Sequence, residues 1–270
     1  LNINGTTIES IKSTSLSGAA KSGERISTCL LPNNNVFIAH SYGSNYYLYG
    51  KVVNISDSGE MTDGEDTVIS NSTKNTGYRI SAVALDDTRV FIAYAHTDGS
   101  SYLYGIVCTI SGTTITKGAE TQIAHEVRAA HTIGTIKLDD NKVFIAHSYT
   151  SSMYLYGIVV NIDGTAITPG VDTCMNDSSI YATNTMHPLV MLNNGTILIA
   201  HSYTTSYYLY AQIFGIDYEN NIPTNHIIAT EYETQVRQVT TGQFYGIAKT
   251  SGLGGDDTGH KDIVSIWTKE

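Results

Sequence analysis

The segment Tyr-Leu-Tyr-Gly stands at Tyr47–Gly50, Tyr102–Gly105 and Tyr154–Gly157, and returns as Tyr-Leu-Tyr-Ala at Tyr208–Ala211. The starting positions lie 55, 52 and 54 residues apart, a fixed period that marks one supersecondary unit copied along the chain. A second block precedes each copy by eleven or twelve residues: Val36–Tyr42, Val90–Tyr94, Val143–Tyr149 and Ile197–Tyr203. Two landmarks in register leave little room for any fold that is not built from the repeat.

Each unit reads as four strands, A to D, because runs rich in Val, Ile, Tyr and Thr alternate with tight-turn residues and no helical periodicity is present. In the third unit A covers about 131–138, B is Val143–Tyr149 and C is Tyr154–Ile162. Asp163-Gly164 then predicts a type I′ hairpin into D, with Ser111-Gly112 and Asn4-Gly5 in the same place. Four antiparallel strands in a repeat of this length predict one blade of a β-propeller. One further period beyond Tyr208 falls on Asp262, where Asp262–Glu270 keeps the C pattern without its tyrosines. Ile3–Ile8 matches Ile110–Ile115, so Thr6–Ser15 is expected to supply the missing D strand of that last unit. The expectation is an all-β, five-bladed propeller whose ring is closed by the N-terminal strand, leaving no open sheet edge.

A single domain spanning 1–270 is expected, since no linker-like segment interrupts the repeat. The first residue is Leu, and the sequence is expected to be a fragment of a longer protein. A net charge of −10 without any Lys/Arg cluster argues against nucleic acid and anionic membrane surfaces, and no apolar run is long enough to cross a bilayer. Only 15% of residues are charged while 19 are Tyr, a composition suited to hydrogen-bonding adhesion. Cys29, Cys108 and Cys174 fall at different phases of the repeat and lack metal-binding spacing, so each is expected to be a small buried residue outside any disulfide.

Strand B delivers His40-Ser41-Tyr42, His147-Ser148-Tyr149 and His201-Ser202-Tyr203 to the mouth of the B-to-C loop, and the second unit offers Tyr94-Ala95-His96. Tyr46 and Tyr207 follow across that loop. The candidate ligand-binding residues are therefore His40, Tyr42, Tyr46, Tyr94, His96, His147, Tyr149, His201, Tyr203 and Tyr207. A pyranose has an apolar C–H face for an aromatic ring and a fringe of hydroxyls for His, Ser or Asn, which points to a cell-surface glycan as partner. Several weak sites on one ring would add avidity against a polyvalent surface. The competing reading is that the same residues recur because each blade solves the same packing problem. On that reading alternation sets both Tyr of Tyr-Leu-Tyr-Gly on one face, and the Gly admits a neighbouring backbone.

Gln243 to Asp262 spans 19 residues where the other units take eleven or twelve, and the surplus is Gly-rich and acidic. Asp256, Asp257 and His260 are the candidates there for holding a divalent ion, but calcium-loop spacing is not met and a solvated loop is the simpler expectation. No cofactor is expected. An enzyme is not expected either: propeller glycosidases need carboxylates converging on the central funnel, whereas Asp86-Asp87 and Asp139-Asp140 sit in A-to-B turns that carry Asn33-Asn34-Asn35 and Asn193-Asn194-Gly195 in other units.

The repeat as it stands over Leu138–Gly170 resembles the propeller-type repeats of tail-fibre and receptor-binding proteins of phages and phage-tail-like bacteriocins. That resemblance implies host-surface recognition at an extracellular fibre tip, with a missing N-terminal part serving as shaft and homotrimerising there. In architecture the chain is also similar to tachylectin-2-type five-bladed lectins, which bind an amino sugar between neighbouring blades. Their sequence motif is not matched, and no site residue is carried over from them. The alternative to a glycan partner is another polypeptide held on the same rim.

Overall fold

The computed structural model describes residues 2–4, 7–9, 15–16, 23–32, 34–42, 47–70, 79–95, 102–124, 132–149, 154–175, 188–193, 195–202, 209–218, 222–227, 237–238, 244–245 and 266–267. All regular structure among them is β. A hairpin, β1 (Asn2–Asn4) and β2 (Thr7–Glu9), opens the chain. The first blade is β3 (Gly23–Leu30), β4 (Asn35–Tyr42), β5 (Leu48–Ile55) and β6 (Met61–Asp63) in that spatial order, with β7 (Thr67–Ser70) also paired to β5. The second repeats it with β8 (Ile80–Ala84), β9 (Arg89–Ala95), β10 (Leu103–Ser111), β11 (Thr114–Lys117) and β12 (Thr121–Ala124). The third has β13 (Ile133–Asp139), β14 (Lys142–Ser148), β15 (Leu155–Asp163), β16 (Ala166–Pro169) and β17 (Thr173–Cys174). The fourth is β18 (Leu189–Met191), β19 (Ile197–Ser202), β20 (Leu209–Asp217) and β21 (Ile222–Ile227). A last sheet orders β22 (Arg237–Gln238), β23 (Phe244–Tyr245) and β24 (Ile266–Trp267).

Successive blades stack in a propeller-like manner. Strand β3 packs beside β8, β8 beside β13 and β13 beside β18, so the first strands of four blades stand side by side. Side chains alternate along each middle strand and feed two different cores, as the period of two requires. Val90, Ile92 and Tyr94 face blade one and join Phe37, Leu48 and Ile69; Phe91, Ala93 and Ala95 face blade three and join Val143 and Ile145. A third core joins Phe144 and Met175 to Ile199 and Phe214 of blade four. The first strands are also stitched by serine. Ser27 Oγ accepts the Ala82 N–H at 2.9 Å, and Ser81 Oγ takes the Thr135 N–H at 3.1 Å while meeting the Thr135 hydroxyl at 2.8 Å.

Three details differ from the sequence expectation. Gly112 and Gly164 have φ of +59° and +60°, but among the described residues Asn34 is the one non-glycine with positive φ, so Thr113 and Thr165 do not share it. Positive φ at the first central position alone makes these hairpins type II′ and not I′. The space beside Gly50, Gly105 and Gly157 is filled by side chains and not by a neighbouring backbone: a Cβ at Gly157 would lie 2.6 Å from Met175 Sδ and 2.7 Å from Phe144 Cε2. Of the cysteines, Cys108 is buried, Cys29 is half-buried and Cys174 is exposed, and all three are free thiols. Burial pushes the Cys29 and Cys108 thiols up to about 12.

The outer strand of blades one to three is broken in two. One half pairs with the end of the third strand, as Ile162 with Ile167, and the other half pairs with its beginning, as Tyr156 with Cys174. The connectors are Gly64-Glu65-Asp66, Gly118-Ala119-Glu120 and Gly170-Val171-Asp172. In each the glycine N–H bonds back to the third strand, at Val52, Val107 and Val159. Gly64 also lies against the hairpin residue Thr113 of the next blade, where a Cβ would come within 2.7 Å of the Thr113 carbonyl oxygen. Strand β2 pairs with β1, Ile3 opposite Ile8 as Ile110 stands opposite Ile115, and among the described residues this hairpin and β22–β24 are separate sheets.

Candidate functional site

The acids of the three connectors hold the rings that the sequence singled out. His40 Nε2 lies 3.2 Å from Asp66 Oδ1, and His147 Nε2 lies 3.0 Å from Asp172 Oδ1. An ionised carboxylate only accepts, so each imidazole presents an N–H at Nε2. Blade two substitutes both members at once: the Tyr94 hydroxyl donates to Glu120 Oε2 at 2.5 Å. The Tyr149 hydroxyl donates to the other oxygen of Asp172.

Each ring then lies on the second tyrosine of Tyr-Leu-Tyr-Gly, its cross-strand neighbour. His40 stacks on Tyr49 with centroids 5.5 Å apart, Tyr94 on Tyr104 at 6.3 Å and His147 on Tyr156 at 5.8 Å. Tyr149 meets Tyr156 edge-on at 4.4 Å. In blade one the series continues outward, with Tyr47 tilted against Tyr49 at 6.5 Å. Tyr47, Tyr102 and Tyr154 occupy the last described position at the mouth of each B-to-C loop and are half-buried.

The polar surroundings differ by blade. In blade one Lys51, only 7% exposed, donates to Asp63 Oδ2 and to the Gly64 carbonyl, both at 2.9 Å, and lies 3.7 Å from Asp66. Ile106 and Ile158 take the place of Lys51 in the next two blades. The Lys51 hydrogen bond holds the exposed Asp63 carboxyl below its usual range. In blade two Glu120 also accepts the hydroxyl of Ser70 from blade one at 2.8 Å, so the cluster bridges two blades. Burial, with the Glu120 charge beside it, pushes the Tyr94 phenol well up. In blade three Thr132 and Ser148 exchange a buried hydroxyl contact at 2.7 Å, and His147 Nδ1 is buried with no hydrogen-bond partner. Burial would raise the Asp172 carboxyl, but the bonds from His147 and Tyr149 outweigh it and hold the group below its usual range.

Of the ten candidate ligand residues, four are placed with their side chains, and all four are interior: His40 is 8% exposed, Tyr94 and His147 are fully buried and Tyr149 is 5% exposed. Tyr42 and His201 are described in strand backbone alone, while Tyr46, His96, Tyr203 and Tyr207 lie outside the described residues. The metal candidates Asp256, Asp257 and His260 also lie outside them. The A-to-B turn acids behave as turn residues: Asp86 Oδ1 accepts the Thr88 and Arg89 N–H groups, and Asp139 Oδ1 accepts the Asn141 N–H at 2.7 Å. The acids Asp66, Glu120 and Asp172 escaped the sequence reading. A Gly-x-Asp/Glu segment recurring at the same period was the signal, and only its long reach to strand B hid its purpose.

No protein-family model matches the chain, and no curated protein sequence matches it. Among solved structures it is similar to a triple arginine-to-alanine variant of AofleA from Arthrobotrys oligospora, at 14% identity over 79% of this chain and 76% of that one, with a TM-score of 0.43. It is also similar to the periplasmic gluconolactonase PpgL of Pseudomonas aeruginosa, at 9% identity over 90% and 84% of the two chains and a TM-score of 0.43. A third is a structure of the GH130 family of mannoside phosphorylases, a family described as containing glycoside hydrolases that target β-1,2 mannosidic linkages in Candida mannan. It shares 10% identity over 92% and 84%, with a TM-score of 0.42.

Proposed function

We propose that this chain is a non-enzymatic carbohydrate-binding module that recognises a cell-surface glycan, working outside the cell at the tip of a phage-like tail fibre and joined through further N-terminal sequence to a trimeric shaft. The observation that carries the reading is the repetition, in three successive blades, of an acid, a ring and a tyrosine packed beneath the mouth of the same loop. Such a foundation fixes the aromatic platform that a sugar face needs, and polar loop residues above it would take the hydroxyls. Direct contact then falls to the loop-borne members of the candidate set, Tyr46, Tyr207, Tyr203 and His96, with His40, Tyr94, His147 and Tyr149 beneath them. Non-catalysis is supported by the first strands, which among the described residues carry one carboxylate, Glu24, besides the turn residue Asp139.

The full reading has five blades and a closed ring. Blade one supports it by what it leaves open. Ile26 and Leu30 are 56% and 71% exposed, on the face where blade two buries Ile80 against blade one. Val36 and Ile38 are likewise half-buried where Val90, Ile92, Val143 and Ile145 are fully buried. Val190, 53% exposed, marks the opposite face of blade four, since Leu189 and Met191 pack toward blade three. Both faces suit a fifth blade made of β22–β24 and completed by the β1–β2 hairpin.

The test is a glycan array that includes bacterial wall and capsule polysaccharides, probed with the folded domain and with Tyr207→Ala and Tyr46→Ala variants of unchanged stability. A defined hit that weakens in the variants supports the module. Silence across the array turns the reading toward a polypeptide partner.

A further inference from the structure

The connector acids pair with the B-strand rings by type: Asp66 with His40, Asp172 with His147, and Glu120 with Tyr94. Both members change together in blade two. Such matched exchange within one chain is expected when two side chains are held to each other, because a Tyr hydroxyl and an imidazole Nε2 place their protons differently and need acids of different length. The pair also lies at the head of a contact series. In blade one it runs from Asp66 through His40 and Tyr49 to Tyr47 at the loop mouth.

We propose that Asp66, Glu120 and Asp172 are positioning residues: each fixes the ring of its blade, the ring fixes the second tyrosine of Tyr-Leu-Tyr-Gly, and that tyrosine supports the loop mouth beneath the residues that contact the ligand. The last step rests on the carbohydrate reading above; the pairing does not. Among the described residues the outer strand of blade four is β21, which carries no Gly-x-acid segment.

The burial of His147 sharpens what to measure. With Nε2–H given to Asp172 and Nδ1 lacking a partner, the tautomer that leaves Nδ1 as a bare acceptor avoids stranding a second buried N–H. Nitrogen NMR of the intact chain is expected to report a proton fixed at Nε2 of His147. In Asp172→Ala that signature is expected to give way to mixed tautomers, with shifts in the ring protons of Tyr156 and Tyr154. Unchanged tautomer and ring shifts in Asp172→Ala would overturn the proposal.

A swap keeps the test independent of that variant's folding. His147→Tyr and Asp172→Glu each mismatch the pair, and combining them recreates the arrangement of blade two. The double variant is expected to recover most of the melting temperature lost by the two single changes. If it instead loses their sum, the pairing is coincidental and the proposal fails. Both readouts proceed without sugar, so an array that stays silent while they succeed removes the glycan and leaves the positioning in place.

Discussion

Gly157→Ala tests whether Tyr-Leu-Tyr-Gly persists for packing. The added Cβ would sit 2.6 Å from Met175 Sδ and 2.7 and 2.9 Å from two atoms of the Phe144 ring. The Met can swing aside, but Phe144 is fully buried in the core between blades three and four. Forcing one carbon into such a core costs about 1–3 kcal/mol. Gly157 does not have positive φ, so alanine fits the backbone and recovers roughly 0.4–1 kcal/mol by restricting the unfolded chain. The difference is a loss of about 1–2 kcal/mol, or roughly 2–6 °C in melting temperature for a chain of this size. Urea and thermal unfolding of the variant measure it. Gly157→Ala combined with Phe144→Leu should be more stable than the sum of the single effects, because the shorter side chain vacates the collision. Gly164→Ala is the contrast: nothing lies within 4 Å of its Cβ, yet φ is +60°, so it should lose about 1–2 kcal/mol that Phe144→Leu cannot restore. A Gly157→Ala protein as stable as the parent, or strict additivity with Phe144→Leu, would refute the steric reasoning.

The Asp172 carboxyl is held below its usual value in the folded state, so its stabilisation is complete above the unfolded carboxylate pKa of about 4 and fades as pH falls through the folded value. Replacing Asp172 by Ala should therefore flatten the decline of urea midpoint between pH 5 and lower values, and an unaltered acid limb would count against the pairing. Ser81→Ala removes the acceptor for the Thr135 N–H between two first strands and should cost about 1–3 kcal/mol, read by chemical denaturation. Ile26 and Leu30 are exposed as the chain stands; if a fifth blade closes over them as proposed, deleting residues 1–9 should increase binding of a hydrophobic dye and lower the melting temperature, and equal dye binding would argue against a closed ring.

The blades were legible because their cause is local. Alternating Val, Ile and Tyr runs with Gly or Asn between them specify strands and turns at each repeat, and the structure pairs Val143–Ser148 with Leu155–Val160 as the pattern requires. Turn type was less legible: Asp163-Gly164 and Gly164-Thr165 both contain an acceptable two-residue loop, and register decides between them. The structure places Asp163 opposite Ala166, which puts Gly164 first in the turn. The site was half legible. His40, Tyr94 and His147 stood out by recurrence, but recurrence does not say whether a polar ring faces solvent or a partner. Their partners lie 25 or 26 residues downstream, on the far side of two hairpins, a separation no local pattern reports.

The divided outer strand has a bearing on what happens when many copies of this chain are crowded together. The outermost strand of a blade offers unpaired amides and carbonyls, and a long flat one is a template for cross-chain β-stacking and aggregation. Here no half exceeds four residues in blades one to three, and the two halves meet at a glycine whose amide is already engaged by its own sheet. An incoming strand would lose register at the connector and meet a carboxylate two residues on. In blade four the described outer strand, β21, runs for six residues with no connector within it. If this protein ever forms fibrils, that edge is where they should begin.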